Sequence, residues 1–281
     1  MDLLEIVRNC GVSGDDIEIC PFLREEDGTE YEVWLVLAGE ARYVLKKAKG
    51  RELSVYAGFF RENTAGAPRF LGSRGDYFLM EYARGENLCR CDRARLKPAL
   101  DALIALQDRY WEGGEDDFFA ESLERRRMRG EYLRDDALER AYGTFLDLYE
   151  RLPRTLCHDD LLPFNVLVSG GKATIIDWEC AGLLPYPTSL ARLIAHGTAD
   201  PEAFFYMTDA DRAFAIDYYY EKLLRGRGID YADYRRALDY FLLYEYCEWI
   251  MLGNRYPDAD MARFRFYLEK ARAHVAAHGL G

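Results

Sequence analysis

"LCHDDLLPFNVLV", residues 156–168, is the stretch on which the reading of this chain turns. Its outer residues form an apolar run fit for a buried strand, yet a histidine, two aspartates and an asparagine stand inside it. Unpartnered polar groups are costly to bury. The segment therefore reads as loop residues held between two strands, and the loop carries chemistry. His158, Asp160 and Asn165 keep the spacing H-x-D with N five residues on, in which the aspartate accepts or orients a hydroxyl proton and the asparagine binds metal.

Moving a phosphoryl group from a nucleotide to a hydroxyl needs a carboxylate near the attacking oxygen, oxygen ligands for Mg²⁺, and a cation on the donor phosphates. The flanking sequence supplies the rest. "TIIDWE" offers Asp177 at a strand end, a hard ligand for Mg²⁺. "FNVLVSG" (164–170) and "ATIIDW" (173–178) flank a Gly-Gly-Lys turn and read as a hairpin. Upstream, "YVLKKA" (43–48) puts Lys46 and Val44 on one side of a strand by two-residue alternation, with Lys47 on the other. An ammonium and a small apolar floor could then meet a nucleotide together. Glu52, in the first turn of the next helix, is placed to pair with Lys46 and hold it toward the phosphates, with Arg51 as a rival partner for that carboxylate.

The organisation around these motifs is a change of texture. "DIEICPFL" (16–23), "YEVWLVLAG" (31–39) and "ARYVLKKA" (41–48) alternate like antiparallel strands, with turn residues at Asp27-Gly28 and Gly39-Glu40. A helix is expected within 50–63, then strands at 68–73 and 76–83. Past Gly85 the apolar positions take a helical period over 92–111, 115–128 and 131–151, and again after Pro187. The expected fold is α+β and bilobal: a small antiparallel sheet with one helix over 1–84, and a larger, mainly helical lobe over 85–281. The strand in "FLMEYARG" closes the small lobe, and its backbone at Glu81 and Ala83 is positioned to hydrogen-bond an adenine edge.

"RELSVY", "FLMEYARGENL", "CHDDLLPFNVLV" and "IIDWECAG" resemble the successive blocks of the aminoglycoside phosphotransferase and choline kinase-like family, small-molecule kinases with a protein-kinase-like fold. The resemblance covers roughly residues 16–195. It implies Lys46 on the donor phosphates with Glu52 as its partner, Asp160 as catalytic base, Asn165 and Asp177 on Mg²⁺, and His158 as a brace for the loop. ATP or GTP would be the donor. Two departures stand out. The phosphate-covering loop "LREEDGTEYE" has one glycine, Gly28, and the acidic residues from Glu25 onward would repel a triphosphate. Ser189 stands where many members carry an aspartate that braces the metal loop.

Composition narrows the partners. The chain has 281 residues, 49% hydrophobic and 31% charged, the balance of a soluble globular protein. Its net charge of −12 argues against nucleic acid, whose phosphates call for clustered Lys and Arg. No stretch reaches the ~20 apolar residues of a membrane span, the N-terminus lacks a signal-peptide pattern, and seven scattered cysteines suit reduced thiols, so a cytoplasmic setting is expected. The few residues between Asp177 and the helix near Pro187 leave no room for a protein kinase's activation segment, which favours a small-molecule acceptor over a protein substrate. Glu245, Glu248 and Trp249 share a helix face and would suit a cationic acceptor such as an aminoglycoside or choline-like amino alcohol, although such a stripe is also what a helix core looks like. Asp159, next to the expected base, reads as solvated. A nucleotide binder that has lost the chemistry is the alternative from another class.

Overall fold

Alternation of apolar and polar residues produces the strands it implies. The computed structural model describes residues 2–14, 16–23, 28–62, 65–114, 116–256 and 260–281. In chain order the elements are α1 (Leu3–Asn9), β1 (Ile17–Leu23), β2 (Glu30–Ala38), β3 (Ala41–Lys47), α2 (Glu52–Phe59), β4 (Phe70–Arg74), β5 (Tyr77–Glu81), β6 (Glu86–Asn87) and α3 (Arg93–Arg109). There follow α4 (Phe118–Gly130), α5 (Asp136–Arg151), β7 (Arg154–Cys157), β8 (Val166–Ser169), β9 (Lys172–Ile175), β10 (Gly182–Pro185), α6 (Pro187–Ala195), α7 (Asp209–Tyr219), α8 (Tyr231–Arg255) and α9 (Met261–His278). The fold is thus α+β, with its antiparallel sheet in the N-terminal part and helices through the C-terminal part. No helix among the described residues is long and apolar enough to cross a membrane.

Two compact units emerge. The first comprises 1–88, 94–106 and 163–181, and the second 89–93, 107–162 and 182–281. Residues 1–84 all lie in the first unit, while 85–281 is shared between the two. The sharing has a local cause: β8 and β9 form the expected hairpin, and β8 pairs antiparallel with β6 through Glu86–Val168 and Asn87–Leu167, which ties the hairpin to the N-terminal part of the chain. Gly170 and Gly171 both take positive φ, +56° and +74°, as a tight two-residue hairpin turn requires. Gly85, at φ +143°, sits so close to β8 that a Cβ there would lie 2.6 Å from the Val168 carbonyl oxygen.

In the first unit the five-stranded sheet runs β1-β2-β3-β5-β4, all neighbours antiparallel. Helix α1 has no counterpart in the sequence reading. Asp2 caps it by accepting from the Leu4 N–H at 3.0 Å. Ile6 and Val7 of α1 form a core with Val36, Leu45 and Leu79 of the sheet. Burying Leu45 on that face sends Val44 and Lys46 to the other, because strand side chains alternate. Tyr56 of α2 packs 4.9 Å from Phe78, and Phe60, which follows the helix as its C-cap, meets the Trp178 ring edge-on at 4.8 Å.

In the second unit β7 pairs with β10, and the loop carrying His158–Asp160 leaves the end of β7. The helices close over aromatic rings: Phe145 of α5 stacks on Tyr244 of α8 at 4.8 Å and meets Phe241 edge-on at 5.1 Å. Tyr219, from the run "DYYYEK", is fully buried and donates to Gln107 Oε1 at 2.6 Å. Helix α5 begins later than the expected 131 because Asp135 caps it, accepting from the Ala137 and Leu138 N–H groups at 3.1 Å.

Candidate active site

The first unit contains a cavity of about 520 Å³ whose lining includes Val44, Lys46, Met80, Glu81, Ala83, Asn165, Leu167, Ile176 and Asp177. Three separate stretches of sequence meet here. Lys46 Nζ lies 2.7 Å from Glu52 Oε1 and 2.5 Å from Asp177 Oδ1. Of the two rival cations, Lys46 is the one paired with Glu52 among the described residues. Burial alone would lower the Lys46 ammonium, but Asp177 and Glu52 outweigh it and hold it above its ordinary value. Glu52 is fully buried, and that desolvation pushes its carboxyl up to about 7 against the pull of Lys46. One lysine thus sits between two carboxylates, the inner one poorly solvated.

Asp177 takes a left-handed backbone, φ +66° and ψ +57°, which turns its carboxylate out of the strand direction set by β9. Asn165 is almost fully buried, and its backbone carbonyl accepts from the Ile176 N–H at 2.9 Å. That bond locks the asparagine loop to the strand leading into Asp177. Glu179 also lines the cavity, and ligand oxygens of Glu52, Asp177 and Glu179 lie within 4.8 Å of one another. An all-oxygen set of this kind fits a hard cation such as Mg²⁺. Glu179 was missed in the sequence, where a carboxylate two residues past Asp177 reads as a helix-turn residue.

Of the two edge positions, Glu81 has its amide and its side chain engaged. Its amide donates to the Arg69 carbonyl at 3.0 Å, and its side chain pairs with Arg69 Nε at 2.9 Å. The acidic loop from Glu25 to Asp27 lies outside the described residues.

The second unit holds the aspartate loop. His158 is fully buried, and its backbone N–H donates to Ser189 Oγ at 2.9 Å. Serine, where an aspartate was expected, still braces the loop, through its hydroxyl. Asp159 is not solvated. It takes φ +57°, and its side chain is 6% exposed, held by Arg125 at 3.0 Å and by Arg126 at 2.5 Å. The left-handed backbone overrides the alternation that would have sent it to water. Arg126 is buried between the rings of Tyr149 and Tyr244, its guanidinium 4.5 and 4.7 Å from their centroids. In the sequence, "ERRRMRG" looks like a solvated helix face, and nothing there points to a partner 33 residues away. Asp159→Ala would leave that guanidinium buried without its counter-charge, so we expect a loss of about 3–5 kcal/mol in urea denaturation. An unchanged midpoint would mean that Arg126 needs no carboxylate.

Asp160 is held by Arg192, which donates to Oδ1 through Nη2 at 2.8 Å and through Nε at 3.2 Å. Burial pushes the Asp160 carboxyl up, Arg192 draws it back, and the nearby Glu248 and Glu245 add to the rise. The same arginine reaches Glu245 Oε2 at 2.7 Å and Glu248 Oε2 at 2.6 Å through Nη1. Glu248 also accepts from Arg129 at 2.7 Å and from the Tyr244 hydroxyl at 3.0 Å. Sequence reasoning missed Arg192 because a basic residue inside "LARLIA" carries no spacing signal of its own.

An antiparallel sheet followed by helices, with a lysine held by a helix glutamate and by the aspartate after a hairpin, defines the kinase-like phosphotransferases. The chain belongs to the phosphotransferase enzyme family, whose sequence profile (APH) matches residues 24–224. It is therefore a phosphotransferase enzyme, in keeping with the resemblance found in its motifs. Solved structures share its fold over nearly the whole chain. An ethanolamine kinase of Plasmodium vivax is 15% identical with a TM-score of 0.61, over 95% of this chain and 82% of its own. The choline kinase from Cryptosporidium parvum Iowa II is 13% identical with a TM-score of 0.63, over 99% and 98%. A thermostable mutant of the aminoglycoside phosphotransferase APH(4)-Ia, in a ternary complex with AMP-PNP and hygromycin B, is 18% identical with a TM-score of 0.58, over 96% of each chain. No curated protein matches.

Proposed function

We propose that the protein transfers the γ-phosphoryl group of ATP or GTP to a hydroxyl of a small molecule. The observation that carries this is Lys46, clamped between Glu52 and Asp177 on the wall of a 520 Å³ cavity. Such a cavity is large enough for a nucleotide. An anionic donor phosphate competes well with Asp177 for the ammonium, while Glu52, buried behind it, keeps the side chain extended. Val44 offers the apolar floor under the base. With the Glu81 amide spent on Arg69, Ala83 is the better edge donor of the two.

Asn165 and Asp177 would hold Mg²⁺, which supplies neutralisation of charge on the donor phosphates, and Glu179 is a third oxygen within reach. Asp160 accepts or orients the acceptor's hydroxyl proton, with Arg192 fixing its rotamer. His158 braces the loop through its backbone bond to Ser189. Catalysis of this kind is mostly positioning and electrostatics.

The test pairs two measurements. Mg²⁺ with ATP or GTP at about 100 times its Kd should stabilise the native state by about 2.7 kcal/mol, and nucleoside diphosphate should be released only when a hydroxyl acceptor is added. A shift without acceptor-dependent release, across a broad acceptor panel, would indicate a non-catalytic nucleotide binder. No shift with either nucleotide would remove the proposal.

A further inference from the structure

The sequence reading expects a cationic acceptor on Glu245, Glu248 and Trp249. In the second unit these groups are already engaged. Glu245 is 3% exposed and bound to Arg192, and Glu248 is bound by both Arg192 and Arg129. Burial would raise the Glu248 carboxyl, but Arg192, Arg129 and Arg126 hold it below its ordinary value, a carboxylate saturated with cations. The Trp249 ring stacks on Tyr267 at 5.8 Å and carries the Arg263 guanidinium 4.3 Å from its centroid. The cation–π site that an amine would use is filled from within the chain.

There is also a cavity of about 290 Å³ lined by Arg129, Arg192, Arg255, Tyr132, Trp249 and Tyr256, in which Glu248 is the one carboxylate among the described lining residues. Arg255 is exposed, its guanidinium lies 5.3 Å from the centroids of both Tyr132 and Tyr256, and among the described residues no carboxylate pairs with it. Ring contacts hold a guanidinium in plane and leave its donors pointing outward. Such a fork matches a carboxylate or phosphate. Arg192 joins this cavity to Asp160, since one guanidinium both lines the cavity and binds the aspartate's carboxylate.

We propose that the cavity beside Trp249 is the acceptor subsite and that it takes a hydroxyl compound bearing an anionic group, a carboxylate or phosphate, with Arg255 as its specificity-determining contact. This rests on Asp160 being the group that receives the acceptor hydroxyl. The attraction is charge on charge in a partly enclosed space, so it discriminates most strongly between acceptors of one size and opposite sign.

The experiment measures binding by calorimetry, and diphosphate release, for sets of comparable size and differing charge: glucuronate, glucose and glucosamine, with glycolate against ethanolamine and 2-hydroxyethyl phosphate against choline. The wild type should favour the anionic members at least tenfold in KM. Arg255→Gln should raise KM for the anions about tenfold with little change in kcat, and Arg255→Glu should reverse the preference. Position 255 is on the surface, so these variants should fold. Amines bound or turned over as well as their anionic partners, or no anion in the panel bound in an Arg255-dependent way, would overturn the assignment. Failure of the broader function would look different: the nucleotide-dependent thermal shift would then be missing from the wild type as well.

Discussion

Asp160→Asn should lower kcat by about 10²–10⁴-fold, the range for losing a positioned general base, while leaving the protein folded and its nucleotide affinity nearly intact. The argument runs from the partners of the carboxylate. Arg192 donates to Asp160 by two nitrogens, but it also holds Glu245 and Glu248 at 2.7 and 2.6 Å. With asparagine at 160, the guanidinium keeps two carboxylates and no buried charge is stranded, so stability changes little. In the proposed mechanism, turnover loses the carboxylate that takes or orients the hydroxyl proton. A pH profile adds a second reading of the same group. Burial pushes the Asp160 carboxyl above its ordinary value, and only the ionised form can accept a proton. Activity should therefore be lost as pH falls, with the acid limb above the usual carboxylate range of about 3.9. The limb should be absent from the residual activity of the variant. Normal turnover by Asp160→Asn would end the role assigned to it.

The contrast between Asp159 and Asp160 shows what the sequence could and could not reveal. Periodicity located the five-stranded sheet, the β8–β9 hairpin and the long helices, because each buries one face and the pattern of that burial is written residue by residue. The pairing of Lys46 with Glu52 was legible for the same reason: a strand alternation and the first turn of the next helix fix both side chains locally. Local rules fail where a backbone turns left-handed. Asp159 and Asp177 both have positive φ, and the alternation that predicted a solvated Asp159 assumes extended backbone. They also fail where a partner is distant in the chain, as with Arg126 for Asp159 or Arg192 for Asp160, since ion pairs carry no period. The acceptor carboxylates fell to the same gap: Glu245 and Glu248 were visible on a helix face, while the arginines that neutralise them sit on α4 and α6.

Asp177→Ala should separate stability from activity in opposite directions. Lys46 has two carboxylate partners, and the inner one, Glu52, is fully buried with its pKa pushed to about 7. Asp177 contributes to that rise by like-charge repulsion, so its removal eases the ionisation of Glu52 and leaves the lysine still paired at 2.7 Å. No buried charge is orphaned, because the Asp177 side chain is 38% exposed and Lys46 keeps its inner partner. The melting temperature should therefore stay level or rise slightly. Phosphoryl transfer should fall by at least about 10²–10³-fold, the loss that follows removal of one preorganised electrostatic group. The Mg²⁺-dependent part of the nucleotide thermal shift should fall with it. Stability held at the expense of function is the expected signature of a residue retained for its ligand rather than for the fold. A variant that lost stability yet kept its Mg²⁺-dependent shift would instead make Asp177 a structural partner of Lys46, and would move the metal site toward Glu179.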